Sequence, residues 1–546
     1  MMTHRLIIAS FTTLIMTACT TLGPEFEPGS NVALPQSWSD SEMASSTAST
    51  ANWWQQFNDP TLDQFVERAA KQNLDVEAAG LRILQARAVL GIADGLRYPQ
   101  VQTVSGNLAR AYVSESSFNN AALTFDAGWE MDVWGKYARG IEAAQATYYA
   151  SIASYNDILV TITSEVARNY INYRSFQERM LLSQRNIEIQ ERVVNITRVQ
   201  FESGNVTELD VQQARNQLFT TKAALPALEI AMLQARNALA VLLGILPEQV
   251  DPLLEDGMTQ RLAEYEQRFR SSGSKSLISE NEDGSIVPEA PALNSTIDAS
   301  LVMRRPDLQV AQLQAHAQSA QIGVAETALY PSFSLFGSIG IDSSVPSGSS
   351  FSFNDSLTLV AGPAFSWNIF QYGRVKNNIR LEDARFQETM TNYNKKVLQA
   401  VQEVTNAIEA YELYVEQKAL RLQSVNASVR AFNISLTQYE NGQISFERLL
   451  NSVEKMTRSE DSYAQIKGNV ANQVVALYKS LGGGWQVQSG QAFVSPDNIQ
   501  KMQERIDWGT QLDEENTVLP PLTIRTGAPV TTGTDESASA TTEEGQ

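Results

Sequence analysis

The sequence predicts an α+β membrane protein in which three copies share a twelve-stranded β-barrel, four strands from each chain, continued by a long α-helical coiled-coil barrel. Three observations predict it. The chain is written twice, at a shift of about 235 residues. Each copy carries segments whose residues alternate between apolar and polar. Each then continues in a long stretch free of Gly and Pro.

The composition sets the limits. The chain has 546 residues, of which 43% are hydrophobic, enough for a substantial core. Asp plus Glu number 61 against 41 Lys plus Arg, a formal charge of -20 that repels nucleic acid. With two histidines, His4 and His316, and one cysteine, Cys19, metal clusters, redox pairs and disulfides are excluded by counting. A hydrolase would rest on His316 alone, and that residue reads as the polar face of a Gln- and Ala-rich helix. Gly482-Gly483-Gly484 lacks the Lys and Ser/Thr of a phosphate loop and reads as a helix stop. No catalytic residue, metal ligand or cofactor is expected.

His4 and Arg5 precede the apolar run Leu6 to Met16, too short to span a bilayer but suited to a secretory signal. The run ends in Met16-Thr17-Ala18-Cys19, which resembles a bacterial lipobox, so lipidation of Cys19 is expected. Each buried acyl methylene contributes about 0.8 kcal/mol, and several chains anchor durably.

The repeat shows as four blocks in one order. Asp75 through Tyr98-Pro99 parallels Asp307 through Tyr330-Pro331, and Gly128, Asp132 and Trp134 meet Gly362, Asn368 and Phe370. Phe201 to Thr207 meets Tyr439 to Ser445, and Ala238 to Gly244 meets Ala476 to Gly482. Each unit opens with a helix, over about 61–97 and about 306–329. Alternating segments follow. Leu123, Phe125, Ala127, Trp129 and Met131 interleave with Thr124, Asp126 and Glu130, as in a strand between two different solvents. Phe333 to Ile341 and Leu357 to Trp367 repeat the pattern, Val101 to Val113 shows it weakly, and Pro363 demands an edge or a bulge.

Ile141 to Ser203 and Arg374 to Asn441 then run about 63 and about 68 residues without Gly or Pro, helices of roughly 90 to 100 Å. Each ends at a Gly-bearing turn, Gly204 or Gly442, and a second helix returns to Gly244 or Gly482. Four strands in lipid leave unpaired edges, so several chains must share one barrel, and three copies give twelve strands.

Cys19, Gly23-Pro24-Glu25-Phe26-Glu27-Pro28, Trp53-Trp54-Gln55-Gln56-Phe57-Asn58-Asp59-Pro60, Arg304-Arg305-Pro306-Asp307-Leu308 and the two tip motifs resemble the lipoprotein (NodT-type) branch of the TolC-like outer-membrane efflux factor family. The resemblance covers about Cys19 to Gly484. It implies a homotrimeric exit duct in the outer membrane, an α-helical barrel across the periplasm and a mixed equatorial domain. The implied partners are a periplasmic adaptor and an inner-membrane pump, often of the resistance-nodulation-division class, with no nucleic acid. The chain then divides into a signal peptide (1–18), a lipidated segment (19–60), a first repeat (61–244), an inter-repeat linker (245–300), a second repeat (301–484), and an equatorial segment with an acidic tail expected to be disordered (485–546).

The resemblance also places the site. Asp210 and Tyr439 match gate residues of the family, and hydrogen bonds between them would hold neighbouring coils shut at roughly 1.5 to 3 kcal/mol each. Glu447, Asn451 and Glu454 fall at i, i+4 and i+7 on one helix face, which three-fold symmetry turns into rings that favour cations. Relatives often carry Asp and Arg where this chain has Asn451 and Glu454, and Arg448 replaces an acidic ring residue. Adaptor contact is expected at Gly204, Val206, Thr207, Gly442, Ile444 and Ser445. Metal-ion export, type I protein secretion and a surface adhesive trimer remain open alternatives to the export of small molecules.

Overall fold

A computed structural model describes residues 21–30, 32, 50–113, 116–255, 262–264, 267, 285–292, 299–346 and 356–519. Cys19, the signal peptide and the tail from 520 onward lie outside the described residues. In chain order the helices are α1 (Pro60–Gln72), α2 (Leu74–Gly95), α3 (Lys136–Glu202), α4 (Glu208–Leu243), α5 (Asp251–Glu255), α6 (Pro306–Thr327), α7 (Arg374–Glu440), α8 (Phe446–Ser480), α9 (Pro496–Arg505) and α10 (Glu514–Thr517). The strands are β1 (Val101–Val113), β2 (Ser116–Met131), β3 (Ser332–Pro346) and β4 (Leu357–Ser366).

The helix expected over 61–97 is two helices. Asn73 sits extended between α1 and α2, and its side-chain oxygen accepts from Asp75 N at 2.8 Å and Val76 N at 3.1 Å. Asp59 caps α1 in the same way, at Thr61 N and Leu62 N. A short polar side chain can bond the backbone just ahead of it, and this competition with the helix is why Asn73 ends one and starts the next. Its amide then donates to Leu242 O at 2.9 Å, tying the break to the end of α4.

α3 and α7 are 67 residues each, about 100 Å long. The returning helices α4 and α8, at 36 and 35 residues, come back only about half way. Where they stop, the main core forms a belt. Trp53, Trp54, Phe65, Ile83, Tyr170, Leu243, Tyr478 and Phe493 belong to one buried cluster drawn from the N-terminal helices, both repeats and the C-terminal segment. A second cluster lies toward the tips, around Val193, Phe432, Leu449 and Val453. The belt packs against the middle of α3, from Ile152 to Ile171.

The strands form one antiparallel sheet in the order β1-β2-β3-β4, so the hairpins of the two repeats join through β2 and β3. Register separates the faces. Val104, Phe125, Ile339 and Leu359 lie opposite one another in a row, and Ser105, Thr124, Gly340 and Thr358 form the next row on the other face. The weak alternation of β1 did not prevent a full 13-residue strand, because β2 pairs with it along its whole length. Pro363 lies opposite Leu335 on β4, an edge strand of this sheet, where a missing N–H costs least.

The N-terminal segment is fastened beneath the sheet. Leu22 N donates to Trp134 O at 3.2 Å, and the buried Arg139 donates to Leu22 O at 2.9 Å and pairs with Glu25 at 3.3 Å. His316 stacks on Phe26 with ring centroids 4.8 Å apart, and its Nε2 lies 2.9 Å from Glu142 Oε1. Burial works against the Glu142 carboxylate, yet the bonds from His316 and Arg139 hold it below its ordinary range. His316 thus helps seat residues that follow the lipidation motif.

Candidate functional site

The two helical tips are built alike. At the end of α3, Asn205 N donates back to Gln200 O and Gly204 N to Phe201 O, and at the end of α7 Gln443 N donates to Gln438 O and Gly442 N to Tyr439 O. Both glycines are left-handed, with φ of 77° and 68°, a conformation an L side chain resists. Gly204, Thr207, Gly442 and Ser445 are exposed, whereas Val206 and Ile444 are half-buried against the cluster behind the tips.

The proposed gate pair is not bonded within one chain. Asp210 accepts from Thr207 N and Thr207 Oγ1, both at 2.8 Å, as the third residue of the α4 capping box. The sequence-based expectation overlooked this local use of the carboxylate. Tyr439 is buried against Phe446, and its hydroxyl donates to Thr197 Oγ1 at 3.4 Å. Burial pushes that hydroxyl up, the Thr197 bond opposes the shift, and the Asp210 charge adds to it. Tyr439 therefore braces α7 against α3.

The remaining gate candidates share a surface. Glu447, Arg448, Asn451 and Glu454 are exposed on α8, and Phe446, Leu449, Val453 and Met456 fill its buried side. The apolar residues pack into the tip cluster, so the polar set must face away from it.

Sequence reasoning missed two kinds of residue. Trp129 donates its indole N–H to Arg97 O and Trp367 donates to Leu329 O, both at 3.0 Å, so each repeat ties the end of a strand to the end of the helix before it. The matched blocks of the repeat do not align these two tryptophans, so the sequence carried no signal that they play the same part. The other kind is a set of polar pairs between α3 and α8. Arg179 binds Asp461 at 2.8 and 3.1 Å, and Lys467 binds the buried Glu178, which also accepts from Ser285 Oγ at 3.0 Å. No spacing within one helix shows which polar residues meet a second one.

The profile of the family described as outer membrane efflux protein matches residues 65–245 and 299–483. The chain belongs to that family. Nodulation protein T of Rhizobium leguminosarum bv. viciae is 26% identical over 474 residues, 86% of this chain and 92% of the relative. The pyoverdine export outer membrane protein OpmQ of Pseudomonas putida is 27% identical over 491 residues, covering 87% and 97%. The solved outer-membrane channel OprN superposes with a TM-score of 0.73 at 27% identity, covering 85% of this chain and all of that one. As an outer membrane efflux protein the chain is an outer-membrane exit duct of the TolC-like kind, and the family is one of channels rather than of enzymes. The two matched segments each hold one long helical hairpin, and both contribute strands to the sheet.

Proposed function

We propose that three copies of this efflux protein close a twelve-stranded barrel and an α-helical tube, forming the exit duct of a tripartite efflux system. A periplasmic adaptor engages the tips around Gly204, Val206, Thr207, Gly442, Ile444 and Ser445. An inner-membrane pump of the resistance-nodulation-division class supplies the energy, and the cargo is a small molecule. Acyl chains on Cys19 anchor each copy, and the fastening of residues 22–26 beneath the sheet supports an anchor at that level.

One observation carries the reading: a four-stranded sheet with one apolar face, one polar face and two edges that no other strand covers among the described residues, set on helices about 100 Å long. Lipid does not accommodate open edges, and neighbouring copies supply the missing pairs. The exposed face of α8 then meets its symmetry mates on the axis. Glu447, Arg448, Asn451 and Glu454 constrict the duct there, with Asp210 at the adjoining tip, and the carboxylate rings favour cations. Tyr439 acts behind this constriction by holding the hairpins together.

The test combines mass and current. Protein purified in detergent is expected to measure as a trimer and to conduct in planar bilayers. Asn451→Cys is expected to cross-link between copies under oxidant, with a fall in conductance that reductant reverses. A stable, non-conducting monomer would overturn the duct, and a conducting trimer with no cross-link would overturn the placement of α8 on the axis.

A further inference from the structure

A ladder of polar pairs joins α8 to α3. Asn472 donates to Asn172 at 2.7 Å, Lys467 to Glu178, Asn186 Nδ2 to Glu460 Oε2 at 3.1 Å, and Gln190 to Thr457 at 3.4 Å. Partner numbers fall on one helix as they rise on the other, so the helices run antiparallel and the Glu460 rung lies about 20 Å from the tip. This rung sits between the belt and the constricting face of α8.

The acids of the ladder are not equivalent. Glu178 is met by an ammonium, a hydroxyl and a backbone N–H. Asp461 takes both arms of Arg179. Glu460 is as buried as Glu178, but the hydrogen bond it receives comes from a neutral amide. The other polar atom of the same amide, Asn186 Oδ1, is buried and meets no donor among the described residues. An ionised carboxylate can only accept, so it leaves that oxygen unsatisfied, whereas a carboxylic acid has one O–H to give.

We infer that Glu460 carries a proton in this state and donates it to Asn186 Oδ1, so that acid and amide bond at two points and lock α8 to α3 until ionisation of Glu460 releases the lower part of α8. The proton passes to water entering the seam, and the carboxylate left behind keeps one bond from Asn186 Nδ2 and loses the other. The inference rests on the reading of α8 as the constricting helix.

Electrostatics agree with the geometry. Burial pushes the Glu460 carboxyl above its ordinary range; the Asn186 bond and the charge of Arg185 on α3 pull it down without reversing the shift. On its own helix Asp461 is engaged by Arg179, and Lys467 by Glu178. Because the folded-state value is the raised one, the contribution of the lock is full below the ordinary carboxylate range and is lost as pH rises through the raised value. Opening is therefore favoured on the alkaline side of that window.

The experiment uses the full-length trimer in liposomes, with infrared difference spectra and conductance followed against pH. Wild type is expected to show the carbonyl band of a protonated carboxylic acid that disappears as conductance rises, the open-to-closed ratio changing by up to about tenfold per chain per pH unit. Glu460→Gln, whose amide satisfies both atoms of Asn186 without titrating, is expected to lack the band and to show no pH-dependent opening in that window. Asn186→Leu is expected to keep the band at the frequency of a less hydrogen-bonded carbonyl. A band absent from wild type, or one that titrates while conductance stays flat, overturns the inference. The band is read whether or not the trimer conducts, so failure of the lock and failure of the duct are separate results.

Discussion

Glu178 and Lys467 show how much a single pair carries in a helix that otherwise looks solvated. Their side chains are 4% and 12% exposed, and Ser285 and Val287 of the inter-repeat linker bond the same carboxylate. Removing one partner leaves a buried charge, which costs about 3–5 kcal/mol. Lys467→Met is therefore expected to lower the thermal stability of the folded chain, and Glu178→Met combined with it to recover most of the loss, as read by circular dichroism melts. A double variant no better than the single would show that the pair is not coupled. At this scale the sequence was only partly legible. The spacing of Glu447, Asn451 and Glu454 placed them on one face, and the structure exposes all three. The same reasoning set Asp210 against Tyr439 of a neighbouring coil and did not see that Thr207, three residues earlier, already bonds one oxygen of the Asp210 carboxylate. Glu178 and Glu460 gave no signal, because their importance comes from a helix almost three hundred residues away.

Among elements, the long helices were the easiest to read, since an uninterrupted stretch needs no tertiary knowledge. The break at Asn73 was not, because Asn serves equally as an indifferent helix residue or as a cap, and its bond to Leu242 O settles which. β1 was nearly invisible for a related reason: its pattern is weak, and its strand form comes from pairing with β2. The tips lie between these cases. Gly442 was recognised as a turn, and the structure adds that a Cβ there would meet nothing within 4 Å. Any penalty at this position must come from the left-handed backbone alone. Gly442→Ala is expected to cost about 1–2 kcal/mol and Gly442→Asn distinctly less, since a short polar side chain tolerates that conformation. Equal melting temperatures for the two variants would mean that the tip relaxes to another turn.

For the molecule as a whole, the decisive property is that the sheet has two wet-incompatible requirements at once: one face must avoid water and the other must meet it. Neighbouring positions on β4 separate them. Leu359 belongs to the row of Val104, Phe125 and Ile339, each exposed in the single chain, whereas Thr358 belongs to the row of Ser105 and Thr124, whose hydroxyls bond each other at 2.9 Å. If the apolar row faces lipid, an arginine there must be carried into hydrocarbon at about 2–4 kcal/mol near the midplane, and three-fold symmetry repeats that penalty in every copy. On the polar row the same guanidinium would stand in a water-filled lumen within reach of the row that holds Asp126. Leu359→Arg is thus expected to reduce the amount of assembled trimer recovered from outer membranes, and Thr358→Arg to leave assembly intact while narrowing the conducting path and weakening its preference for cations. Recovery and single-channel current measured side by side decide between the faces. Should Thr358→Arg be the variant that fails to assemble while Leu359→Arg changes the current, the sheet is inside out relative to this account, and the lumen would have to be lined by the aromatic and aliphatic row instead.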